Sequence, residues 1–195
     1  MKFELITKDN IMLATNIQLR IFKDENECAY LHYLNSFICN KDYYIVYKAN
    51  EPVGITGLYI DEFTQEDDVV WLGWFGVLPE YRNKGLGCEI LLKSLELAKD
   101  KGFKVLRLYT SKNNQSACNL YDKLMDFVEE YTRENITGGI VYSKSLISNI
   151  SASKFSNQFL NLKWHDLEQK EGYKLYRQEI NKWELGWMLM GFLQI

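Results

Sequence analysis

At 195 residues, 47% hydrophobic and 25% charged, the chain suits one domain with a proper core and an appendage. A net charge of -3, from 23 Lys+Arg against 26 Asp+Glu, excludes a global basic footprint for nucleic acid, though not a local site for one anionic ligand. Cys28, Cys39, Cys88 and Cys118 show no C-x-x-C spacing and no metal-type pairing with His32 or His165, so the expectation is free thiols in a reducing compartment and no metal. "MKFELITKDN" lacks an apolar signal core, and no run reaches the ~18 apolar residues of a membrane span, so a cytoplasmic protein with no membrane partner is expected.

In chain order, "FELIT" alternates as a short strand. Residues 10–37 carry a helical aromatic pattern that the charged "KDENE" splits into two helices. "YYIVYKANEPVGITGLYI" predicts a hairpin turning at Ala49-Asn50-Glu51-Pro52. The acidic loop "DEFTQEDD" follows, then an apolar run, Val69 to Leu78. After a glycine turn, Ile90, Leu91, Leu95 and Ala98 predict a helix that stops at Gly102. "KVLRLYT" is a strand, "NNQSACNLYDKLMDF" a helix, and a last strand pair turns at Thr137-Gly138-Gly139. Hairpins leading into two strand-to-helix crossovers argue for a mixed α/β sheet with helices on both faces.

From about Ser148 the composition changes. "SNISASKFSNQ" is linker-like, and Tyr173, Tyr176, Ile180, Trp183 and Trp187 recur at spacings 3, 4, 3, 4 as a helix stripe before the apolar tail "MLMGFLQI". A segment so short and aromatic must pack on the core or on a second subunit. A homodimer contact and a roof over the functional site are both open.

The turn "GVLPEYRNKGLG" joins a strand to a helix. Gly85 and Gly87 allow positive φ or close backbone approach. The amides from Arg82 to Cys88 lie at a helix N-terminus, which suits an anion, above all phosphate, and Arg82 and Lys84 add two cations. A plain turn explains the same glycines. Neither Gly-Lys-Ser/Thr nor G-x-G-x-x-G is present, so a nucleotide phosphate loop and a dinucleotide fold are excluded.

Taken with "NNQSACNLYDKL" about 25 residues later, this turn resembles the GNAT superfamily of N-acetyltransferases. Arg82, Gly85 and Gly87 fill the family's Arg/Gln-x-x-Gly-x-Gly/Ala positions, and Asn114, Ala117, Leu120 and Tyr121 fill the later Asn-x-x-Ala-x-x-Leu-Tyr pattern. The resemblance covers residues 1–147, with 148–195 as an extension. It implies a GNAT-like acyl-CoA N-acyltransferase fold, with acetyl-CoA as co-substrate and a small-molecule or peptide amine as acceptor. Amides of Arg82, Asn83, Lys84, Gly85, Leu86 and Gly87 would hold the pyrophosphate, and Val77 would pair with the pantetheine arm. An N–H near Phe75 to Val77 would stabilise the oxyanion. The implied acid is Tyr121, which otherwise reads as a core aromatic. Asn114 is a cofactor contact or a helix cap.

The base is less marked. Where some relatives carry Glu on the strand, this chain has Trp71; Asp67, Asp68 and Glu62 lie in or near the acidic loop, with Asp68 taken as the candidate, and His32 is a further one. The chain also departs from the family's Gly-Phe ending with "YDKLMDF", where Asp126 precedes Phe127. Two functions follow: acetyl transfer to a primary amine, or an acyl-CoA-binding sensor or scaffold with little transfer.

Overall fold

The computed structural model describes residues 1–23, 29–37, 41–60, 67–133, 136–148, 150 and 152. The chain divides into two compact units, Met1–Phe155 and Ser156–Ile195. The aromatic stripe and apolar tail of the second unit lie outside the described residues, as do the side chain of His32 and all of Glu62.

Strand β1 (Lys2–Leu5) is followed by helices α1 (Ile11–Ile21) and α2 (Ala29–Ser36). Strands β2 (Asp42–Lys48), β3 (Glu51–Tyr59) and β4 (Val69–Val77) come next. A 3-10 turn at Pro79–Tyr81 leads to α3 (Leu86–Asp100), β5 (Val105–Ser111), α4 (Gln115–Leu124), β6 (Phe127–Arg133) and β7 (Ile136–Ser145). They build one seven-stranded sheet ordered β1-β2-β3-β4-β5-β7-β6. All its neighbours are antiparallel except β4 and β5, which a crossover through α3 makes parallel.

Helices cover both faces, as the mixed pattern predicts. On one face α1 and α2 bury Ile11, Ala14, Ile17 and Tyr33 against Tyr43, Ile45 and Ile55. On the other, α3 and α4 bury Leu91, Leu95, Ala98, Cys118 and Tyr121 against Val70, Leu72, Leu106, Leu108 and Tyr142. Each such Leu or Ile withdrawn from water stabilises the fold by roughly 1.5–3 kcal/mol.

Three boundaries shift. The β2–β3 hairpin turns on Ala49 and Asn50 alone, both at positive φ (51° and 67°), as a two-residue turn requires. Pro52 is already in β3, paired with Tyr47 beside a register shift between Val46 and Tyr47. Helix α4 stops at Leu124, not Phe127, because Met125 is extended (φ -92°, ψ 155°). Thr137, Gly138 and Gly139 lie inside β7 instead of forming its turn: Gly139 pairs with Ser111 on one side and Tyr131 on the other, and ladders on both edges override the glycine signal.

Candidate functional site

The site begins with a split in the sheet. β4 and β5 pair only at Val69–Val105, Val70–Leu106 and Trp71–Arg107. β4 then runs on to Val77 along β3, and β5 to Ser111 along β7, without pairing with each other. A V-shaped gap opens toward their C-terminal ends, lined by backbone polar groups that no strand satisfies.

A bulge shapes one wall. Ile55 pairs with Gly76 and Gly57 with Gly73, so Trp74 and Phe75 together oppose Thr56. Trp74 sits at φ 47°, a rare conformation for an aromatic residue, and its ring packs edge-on against Phe22 of the α1 end at 5.3 Å. The two bulge side chains part: Trp74 goes to the α1 face, while Phe75 joins the α3 and α4 face. Nothing in the sequence marks this bulge, since no glycine occupies the strained position.

The glycine turn lies at the mouth of the gap. Gly85 caps α3 in the left-handed region (φ 76°), Asn83 is also left-handed (φ 60°), and a Cβ at Gly85 would meet nothing within 4 Å. The Arg82 amide donates to the Pro79 carbonyl, which removes it from the expected donor row. The amides of Asn83, Lys84, Gly85, Leu86, Gly87 and Cys88 have no acceptor among the described residues, and they occupy the positive end of the α3 dipole. Such a row at a helix N-terminus suits an anion.

The cations nearby are already engaged. Arg82 Nε donates to the Val77 carbonyl at 3.0 Å, and its other arm reaches the Ile21 carbonyl at the C-terminus of α1. Arg82 therefore braces the strand end and the helix end. Lys84 Nζ donates to the Glu80 carbonyl at 3.0 Å and stands over the Tyr81 ring. Leu78 N–H bonds to Val53 on β3, so strand alternation turns the N–H of Val77 toward the gap, while its carbonyl is held by Arg82.

Helix α4 brings the second motif to the same place. A Cβ at Gly87 would stand 3.4 Å from Leu120 Cδ2, so the first turn of α3 faces α4. The Tyr121 ring lies 6.2 Å from Phe75 on β4 and 5.3 Å from Tyr142 on β7, which sets it across the gap. Burial raises the Tyr121 hydroxyl above its ordinary value near 10, and Cys118 adds to the shift, so the phenol stays protonated at neutral pH. No described residue hydrogen-bonds that hydroxyl. Asn114 takes the capping role: its side-chain oxygen accepts the Ala117 N–H at 3.3 Å.

Asp68 does not join this constellation. It stands at the closed end of the V, where its carboxylate is exposed and paired with Lys104 Nζ at 2.7 Å. At ~3.3 Å per residue, a strand places it about 20 Å from Phe75, too far for a direct proton transfer. Asp67 is its exposed neighbour. Trp71, at the base of the V, is buried, stacked on Tyr59 and facing the guanidinium of the fully buried Arg107 at 5.9 Å. The departure at Asp126 has a structural use: its carboxylate accepts Lys144 Nζ at 2.6 Å and the Ser145 N–H at 2.9 Å, tying the helix exit to β7. Among the described residues no group of His, Cys, Asp and Glu is arranged to hold a metal ion.

Known proteins share this architecture. Thialysine N-epsilon-acetyltransferase of Bos taurus is 38% identical over 72 residues, 37% of this chain; the match spans 42% of that relative's own length. Among solved structures, the ribosomal-protein-S18-alanine N-acetyltransferase of Escherichia coli aligns over 79% of this chain and 99% of its own, with TM-score 0.59 and 14% identity. A GNAT acetyltransferase of Elizabethkingia anophelis with acetyl-CoA bound aligns over 74% and 97%, with TM-score 0.55 and 15% identity. At those identities the two structures speak for the fold alone. The profile of the acetyltransferase (GNAT) family matches residues 12–127, more than half of the chain. That span takes in the bulged strand, the amide row and the helix of Tyr121, and the chain belongs to the GNAT acetyltransferase family.

Proposed function

We propose that this protein transfers the acetyl group of acetyl-CoA to a primary amine by direct attack. The observation that carries the reading is the row of amides from Asn83 to Cys88, unpaired among the described residues, at the mouth of a gap that Tyr121 spans. The amides take the pyrophosphate, and the open edge of β4 takes the pantetheine arm, with the Val77 N–H as its partner. The bulge at Trp74–Phe75 turns a backbone N–H toward the thioester oxygen. The neutral amine forms the C–N bond, the tetrahedral intermediate collapses, and the C–S bond breaks. Tyr121 gives its proton to the departing thiolate, and the ammonium proton passes to solvent.

A lysine-type amine is neutral in roughly one molecule in two thousand at pH 7, so an acceptor with a lower pKa gains rate. The curated relative is named for an N-epsilon amine and the bacterial structure for a protein alanine, and both chemistries belong in the test. Titration calorimetry with acetyl-CoA, followed by product detection across lysine analogues, polyamines and alanine-ended peptides, decides it. Saturable binding and an acetylated amine are expected; no binding at millimolar acetyl-CoA would sink the reading. The buried Trp71 at the base position favours a second reading, an acyl-CoA-binding sensor or scaffold, which binding without product from any amine would support.

A further inference from the structure

Tyr121 owes its placement in the proposed reaction to helix α4 instead of the sheet. Helix α4 is ten residues long and amphipathic, and it stops at an extended Met125. Its rotation about its own axis decides whether the phenol points into the gap.

One side-chain bond ties the face of the helix next to Tyr121 to the sheet. Tyr142 Oη donates to Asp122 Oδ1 at 2.8 Å. Asp122 follows Tyr121 directly, about 100° further round the helix. Pinning one azimuth therefore pins the other. Tyr142 is itself a firm mount: it is 2% exposed and pairs with Leu108 on one side and Val128 on the other. The same residue also touches Tyr121 directly, with ring centroids 5.3 Å apart and planes at 57°. Opposite it, Phe75 stands 6.2 Å from the Tyr121 ring. The phenol is thus held between a ring on each side of the gap, and one of those rings also controls the helix that carries it.

We infer that Tyr142 is a positioning residue for Tyr121, acting through ring contact and through its bond to Asp122. The inference rests on the acetyl-transfer reading above. Tyr142 touches no reacting atom. It sets the direction in which Tyr121 presents its proton, and a lateral error of about 1 Å there is enough to cost rate without loosening the cofactor.

The test uses the full chain and five variants, with acetyl-CoA and the best acceptor of the amine panel. Tyr142→Phe and Asp122→Ala are expected to lower kcat about tenfold with the KM for acetyl-CoA unchanged. Asp122 is exposed, so its removal leaves the fold intact if the buried phenylalanine variant does not fold. Asp122→Asn, whose amide oxygen still accepts the bond, is expected to keep wild-type kcat. Adding Tyr142→Phe to Tyr121→Phe is expected to slow the enzyme no further, because one residue acts through the other. Wild-type kcat in both Tyr142→Phe and Asp122→Ala would overturn the inference, as would full additivity with Tyr121→Phe or a loss seen in KM alone. A wild type that transfers acetyl but is indifferent to Tyr121→Phe would overturn this inference and leave the transfer reading standing. A wild type inactive on every amine would overturn both.

Discussion

The two halves of β4 obey different rules. From Val69 to Leu72 every residue is buried, and Val69, Val70 and Trp71 pair with β5. From Gly73 to Val77 the strand is half-buried, glycine-rich, bulged and unpaired with β5. The first half is a central parallel strand, with the Val-rich pattern that burial on both faces demands. The second half keeps only its β3 partner and turns its other edge to the gap. One strand therefore anchors the core and builds the site, and the change occurs within a few residues.

The largest expected effect tests whether the open half depends on its remaining partner. A Cβ at Gly54 would stand 2.3 Å from the carbonyl oxygen of Gly76, a backbone atom that cannot step aside. Gly54→Ala is expected to destabilise the protein by about 3 kcal/mol, read as a lower midpoint in urea unfolding. Equal midpoints would mean that β3 is not what holds the open half in place.

Next in size is the chemistry across the gap. Tyr121→Phe should lower kcat about a hundredfold while calorimetry finds unchanged affinity for coenzyme A. A loss of affinity with normal kcat would return Tyr121 to the core and leave the open half a binding surface only.

The same phenol gives a pH signature. Burial holds the pKa of Tyr121 and of Tyr33 above the ordinary value near 10. Above that pH the unfolded chain releases protons that the folded chain retains, so stability falls as pH rises, by about 1.4 kcal/mol per pH unit for each phenol. By pH 10.5 the loss is about 1.7 kcal/mol for the two together. Thermal melts from pH 8 to 11 should show Tm level up to about pH 9.5 and falling beyond it; a level Tm to pH 11 would show that both hydroxyls reach water.

Smaller still is the cost at the turn. Gly85→Ala places a side chain at φ 76° with open space around it, so about 1 kcal/mol of backbone strain is expected from the conformation alone. If a pyrophosphate lies against that backbone, affinity for coenzyme A drops as well, and calorimetry separates the two losses. At the closed end, Asp68→Asn removes an exposed ion pair and should change stability by less than about 1 kcal/mol, leaving kcat untouched. A clear fall in kcat there would show that the closed half takes part in catalysis after all.

What the sequence made legible follows from how local each signal is. The glycine turn, α3 and the cap at Asn114 are written in neighbouring residues, and the element order came out of periodicity. The bulge was not legible, because Trp74 holds positive φ through Phe22, which is 52 positions away in the chain. Asp68 looked close to the site in sequence, but a strand carries residues apart by more than 3 Å each. Arg82 looked like a free cation, and only the folded chain brings the Val77 and Ile21 carbonyls to it. Asp126 looked like a departure from a family pattern, and its purpose depends on Lys144 and Ser145 arriving from β7.

A sheet that stops pairing after three rungs is an unfinished object. Beyond Trp71 and Arg107 the facing edges of β4 and β5 no longer pair with each other. On the function proposed above, a ligand lying in the gap would supply the missing rungs and so serve the protein as a structural member as well as a reactant. Stability then rises with the logarithm of the concentration of whatever fills the gap. Melting the protein beside graded amounts of coenzyme A would read the strength of a wedge, and a protease would read the same quantity as survival.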